Sequence, residues 1–350
     1  MLSRLVAIAA LAALRGYCGD WSPQLAADYL DSRQKEWFAW PAAKAPGGPC
    51  VSCHTGLTYL LARPVLRRAL GESEPTAYER GLLEGLRARV EKKSSKELSP
   101  EGKEPFASQR FGVEAIFSAL FLARQDSGRA TLSAETKQAF DRLWSLQIPD
   151  GKSKGAWPWF DLNLDPWETP DSAFYGAALA AVAAGAVPAE YRDWPGIVAL
   201  TEYLRREQQT QPLHNRLTLL WASTKLPAAL PEPMRRPLID EILRKQQPDG
   251  GWTLESLGTW RPHAKAPRSE GSSNSYSTGF VAFALEQSGL GRSNPDLARA
   301  LDWLRSHQNR QFGYWTADSM NKLYEADSMP LRFMQDAATS FAAMALLEAK

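Results

Sequence analysis

Three times between Pro105 and the end of the chain, an apolar helical pattern closes on a Gln, turns through Gly and reaches a Trp. The first copy runs from Phe140 and Leu143 through Gln147 to Gly155 and Trp157. The second runs from Ile239 and Ile242 through Gln246-Gln247 to Gly250-Gly251-Trp252, and the third from Leu301 and Leu304 through Gln308 to Gly313 and Trp315. A weaker copy near Leu204 and Gln208 lacks the Gly and the Trp. Such repetition limits the fold severely, because one short unit cannot bury its apolar face alone and must stack on its neighbours.

Each clear copy is followed by a second apolar segment: DSAFYGAALAAVAAG from Asp171, SYSTGFVAFALEQSG from Ser275 and DAATSFAAMALLEA from Asp336. Their apolar residues recur at helical spacing, and their Ala, Gly and Ser content permits close helix contact. Asp or Ser at each start suits an N-cap. Paired helices with few strand signals predict an all-α chain, built as an α/α toroid with one helix of each pair inside and one outside.

The segment QQPDGGW, with looser copies ending in Gly-Ala-Trp and Gly-Tyr-Trp, resembles the Gln-Trp repeat of squalene-hopene and oxidosqualene cyclases, within the prenyltransferase-like toroid family. The resemblance covers residues 105–350. It implies that Gln147 with Trp157, Gln247 with Trp252 and Gln308 with Trp315 are structural clamps between outer helices. The cyclases protonate an alkene through an acid motif of the form D-x-D-D, which this sequence lacks. Its nearest acidic stretch holds Asp161 and Asp165, which on a helix would face each other at i and i+4. The loop composition around them favours a solvated turn. Trp157, Trp159, Phe160 and Trp167 are dense enough to form a pocket wall.

A second feature lies outside the repeats. Two of the three cysteines fall in Cys50-Val51-Ser52-Cys53-His54, the C-x-x-C-H arrangement of c-type haem attachment. On one helical turn, residues i and i+3 face the same way, so both sulfurs can form thioethers to one haem. His54 then offers its imidazole as the proximal iron ligand. A disulfide between Cys50 and Cys53 would leave His54 unexplained, and a structural zinc site lacks a second cysteine pair. These residues predict one covalent haem c per chain. Among the remaining donors are His214, His263, His307, Met334 and Met344; Met320 and Met329, in the loop-like run DSMNKLYEADSMPLRFM, are the two candidate distal ligands.

The opening residues combine Arg4 with an apolar run from Leu5 to Leu14, too short for the about 20 residues that span a bilayer and suited to a signal peptide over 1–19. Export and haem attachment agree on a periplasmic or otherwise exported protein, at most peripheral to a membrane. Residues 20–104 then form an N-terminal helical haem-binding segment. It opens with Ser22 as N-cap and Pro23 at the first helical position, and it ends in the charged run from Arg89 to Pro105, read as a solvated linker. With 41 Lys+Arg against 39 Asp+Glu, the chain has no electrostatic case for binding nucleic acid. The expected function is electron transfer, or haem redox chemistry on an apolar, isoprenoid-like molecule, with a periplasmic electron donor or acceptor as partner. The alternative is a non-redox terpenoid-binding or cyclase-like protein whose haem is structural or sensory.

Overall fold

The computed structural model describes residues 21–188, 191, 195–261 and 271–348. The signal-peptide segment, Cys18 and His263 lie outside the described residues. Among the described residues the chain is all-α apart from one hairpin of two-residue strands, β1 (Lys44–Ala45) with β2 (Gly48–Pro49).

Two kinds of helix alternate. One set comprises α2 (Gly56–Leu70), α5 (Phe106–Gln125), α7 (Ser172–Ala186), α9 (Leu213–Ser223), α11 (Ser275–Gln287) and α13 (Phe333–Glu348). These helices are buried on nearly every side, as α7 must be, with no polar face in SAFYGAALAAVAAGA. The other set comprises α1 (Pro23–Ala39), α3 (Ala77–Val90), α6 (Ala134–Ser145), α8 (Pro195–Glu207), α10 (Glu232–Leu243) and α12 (Pro295–Ser306), each with one buried and one solvated face. A single turn, α4 (Ser95–Leu98), links α3 to α5. The buried helices touch in the order α5, α7, α9, α11, α13, α2, so the last helix of the chain packs on the first of its set.

Each repeat forms the same seam. The indole of Trp157 donates to the Leu143 carbonyl (2.6 Å), Trp252 to Ile242 (2.9 Å) and Trp315 to Leu304 (2.8 Å), satisfying carbonyls near the ends of the outer helices. The Gln amide then bridges to the start of the next outer helix: Gln147 to Gly196 of α8 (2.9 Å), Gln246 to Asp296 of α12 (2.7 Å) and Gln308 to the Ser22 cap of α1 (2.9 Å). In the second copy the clamp is therefore Gln246, where the resemblance pointed to Gln247. Both follow the end of α10, and it is the side chain of Gln246 that reaches α12, while that of Gln247 turns back to the Lys245 carbonyl. The third seam joins the C-terminal repeat to the N-terminal helix.

The sequence boundary at residue 104 marks no separate core. Trp21, Leu57 and Leu86 share one apolar cluster with Phe341 and Leu346. Nor is the charged run a solvated linker along its whole length, because Arg89 is buried and pairs with Glu114 at 3.0 Å, and Leu98 is buried as well. Among the described residues, no helix is long and apolar enough to cross a membrane.

Candidate functional site

The starts of the buried helices gather at one end of the molecule. Thr55, at the N-cap of α2, donates to Asp336 in the first turn of α13 (2.7 Å), and His214 of α9 meets the Tyr276 hydroxyl of α11 at 2.7 Å. The Cys50–His54 motif sits at this end. Cys50 to Ser52 are not helical and a turn begins at Cys53, so the motif lies ahead of α2 and not on one helical turn as the spacing suggested. Ser52 explains the difference. Its hydroxyl accepts from the Thr55 and Gly56 amides (3.1 and 3.0 Å), which caps the helix after the motif. The Trp37 indole fixes the preceding strand by donating to the Cys50 carbonyl (2.8 Å).

His54 is held by a chain of donors. The two oxygens of Asp336 accept from Tyr29 (2.8 Å), Arg33 Nε (2.8 Å) and Nη2 (3.2 Å), and Thr55. Four donors on one carboxylate leave the Thr55 oxygen to accept from His54 Nδ1 at 3.0 Å. The imidazole therefore carries its proton on Nδ1, and Nε2 presents a lone pair, the form that binds a metal. Burial, and behind it the charge of Arg33, hold this imidazole down at about 3 and hence neutral at ordinary pH. Arg33, Thr55 and Asp336 were not expected from the sequence. The one available signal was a lone acid inside the apolar run of α13.

His54 opens on a cavity of about 70 Å³ walled by Trp167, Glu168, Tyr324, Phe333 and Met334. That volume is well below the roughly 300–1,000 Å³ of small-molecule sites. The donor set fits a covalently held haem, but a porphyrin would have to displace side chains that pack over the imidazole. Phe333 stacks on it at 3.5 Å between ring centres. Cys53 is buried, and Cys50 packs beside Trp37, Ala43, Met329 and Phe333. Burial pushes the Cys50 thiol up to about 11, helped by Glu114, and moves Cys53 the same way, helped by Glu168. Of the two methionine candidates, Met329 lies in the Cys50 cluster and Met320 in the main core. Among the described residues, no three His, Cys, Asp or Glu side chains converge as metal ligands.

A file of rings leads away from His54. Trp167 is 6.1 Å from it, Tyr276 is 5.6 Å from Trp167, His214 is 6.0 Å from Tyr276, and Trp260 is 5.9 Å from His214. Trp260 lines a second cavity of about 410 Å³ with Asp165, Asp171, Gln211, Asn215 and Arg261. Asp161 is exposed and Asp165 buried in a loop where its carboxylate takes the Arg261 amide (3.2 Å), so the two do not pair on a helix. Trp157 and Trp159 are packed, with both indole N–H groups bonded to backbone. His307 lies flat on Trp303 at 3.7 Å, on the outer helix α12 and its cap.

Burial brings His214 down to about 4, opposed by its bond to Asn215. Its folded pKa lies below the unfolded value of about 6.5, so the unfolded chain takes the proton first as pH falls. Stability is then present above about pH 6.5 and lost towards pH 4, by roughly 3 kcal/mol for this group. In urea titrations across that range, His214→Gln should lose stability less steeply than the native protein. Equal slopes would show that His214 is not held neutral by the fold.

No protein-family model matches the chain, and no curated protein matches it in sequence. Among solved structures it is similar to the Polysaccharide Lyase BACCELL_00875, with a TM-score of 0.54 and 13% identity over 93% of this chain and 96% of that one. At that identity the likeness is one of helical fold along nearly the whole length.

Proposed function

We propose that this chain is an exported c-type haem protein in which Cys50 and Cys53 hold one haem c by thioethers and His54 ligates its iron, on a closed α/α toroid. The observation that carries the reading is the His54 imidazole, fixed in its Nδ1–H form so that Nε2 keeps its lone pair, on a residue that lines a cavity. The cysteine surroundings support it as well. Buried thiols with raised pKa are poor thiolates for zinc, whereas neutral thioether sulfurs suit the same apolar cluster. Bound there, the haem supplies a one-electron couple whose potential depends on its second axial ligand.

The chain's own residues do the rest. Asp336 and Thr55 orient His54; Trp37 and Phe333 exclude water from its faces; Met329 and Met320 are the candidate distal ligands. The ring file from Trp167 through Tyr276 to Trp260 supports an electron path between the motif and the second cavity. That cavity is walled by carboxylates, amides and Arg261, which suits a polar molecule better than the isoprenoid partner that the cyclase resemblance implies. The Gln and Trp seams, with α13 packed on α2, support the toroid.

Protein recovered from the exported fraction should be red and give a reduced-minus-oxidised spectrum of a c-type haem. The Cys50→Ser, Cys53→Ser pair should abolish the covalent chromophore. Carbon monoxide binding to the reduced protein would mark an open iron, and its absence a sixth protein ligand. Colourless native protein from that fraction would overturn the reading.

A further inference from the structure

The far end of the molecule, where the buried helices finish, carries a different chemistry. Arg67 and Arg68 belong to the last turn of α2, Arg124 to that of α5, and Lys225 follows α9. All four line one cavity of about 680 Å³, whose only acid among the described residues is Glu79. Glu79 faces Arg67 at 3.4 Å, which leaves Arg68, Arg124 and Lys225 with no ion pair within 4.0 Å among the described residues.

Cations at helix C-termini have an ordinary explanation, because they complement the helix dipole and donate to the last carbonyls. The dipole acts without direct contact, whereas the second half of that explanation requires bonds to those carbonyls. Among the described residues, the side chains of Arg68, Arg124 and Lys225 make none, and Arg67 Nε is buried without an acceptor. Arg68 and Arg124 act on each other as like charges, and Glu348 is a single carboxylate that opposes Arg68, Arg124 and Lys225 together. Exposed cations that converge on a concave wall and share one carboxylate create a positive potential that favours a further counter-ion. Guanidinium groups match the oxygens of phosphate or carboxylate by paired donors. We propose that this cavity is a binding site for a multivalent oxyanion of the phosphate class. The assignment is independent of whether the chain carries haem.

Inorganic pyrophosphate, titrated into the full chain at constant ionic strength, is the test. It should raise the melting temperature with saturation, and sodium chloride at matched ionic strength should not. In Arg68→Gln, Arg124→Gln the pyrophosphate affinity should fall at least tenfold, with cooperative urea unfolding showing that the ligand-free variant is folded. Lys225→Gln provides a milder variant with a smaller loss. Vesicles of phosphatidylglycerol present the same phosphate on a surface, and their binding should be competed by pyrophosphate. Unchanged affinity in the double variant, a shift that sodium chloride reproduces, or vesicle binding insensitive to pyrophosphate would each overturn the assignment.

Discussion

Replacing Asp336 with Ala is expected to destabilise the protein by about 3–5 kcal/mol, the cost of leaving a buried charge without its partner. Arg33 and Asp336 side chains are each about 1% exposed, and the guanidinium meets the carboxylate at 2.8 Å. Without the carboxylate, Arg33 stays charged in the core with only the exposed Glu36 as counter-charge, and the hydroxyls of Tyr29 and Thr55 lose their acceptor. Desolvating a charge outweighs the packing lost with the side chain, so a joint Arg33→Met, Asp336→Leu replacement should recover much of the loss. Urea unfolding of the three proteins measures both effects. A single variant within about 1 kcal/mol of native would show that solvent reaches Arg33, and the same network could not then be fixing the proton of His54.

The second large effect concerns the seam between the last repeat and α1. Gly313 has φ of +80°, and a Cβ there would lie 2.2 Å from the Leu25 backbone. Gly313→Ala should cost about 1–2 kcal/mol for the left-handed backbone and about 1–3 kcal/mol for the forced shift of α1. Gly289 separates the two contributions. Its φ is +96° with nothing within 4 Å of the added carbon, so Gly289→Ala should show only the backbone cost. Thermal or urea unfolding that ranks the two variants equally would mean that α1 is not seated against the repeat. Gly155 and Gly250 meet Ala199 and Arg299 in the same way, also at positive φ, so the seam recurs along the chain.

What could be read in the sequence was what local chemistry dictates. Ser22 and Pro23 start α1 as expected, and the Gly and Trp of each repeat fall where a turn and an end-stacked ring are needed. What could not be read depended on partners far along the chain. Asp336 suited an N-cap by position, yet α13 begins three residues earlier and Asp336 faces Arg33, 303 residues away. Gln246 and Gln247 are indistinguishable by type, and only the approach of α12 selects one. Asp161 and Asp165 could be paired only if their segment were helical, and the loop assigns them opposite surroundings. The C-x-x-C-H spacing drew attention to Cys50, Cys53 and His54; the hydroxyl that orients His54 belongs to the next residue, Thr55, but the carboxylate behind it comes from α13. The His214–Tyr276 pair left no local mark, because its members lie 62 residues apart.

The central claim is that Cys50 and Cys53 carry a porphyrin beside His54, and the mass of the proteolytic peptide spanning these residues tests it most directly. In protein taken from the exported fraction, that peptide should carry the added mass of one haem and keep it through acid-acetone extraction, as thioether bonds require. A peptide of unmodified mass, or one lighter by the two hydrogens of a Cys50–Cys53 disulfide, would contradict the account.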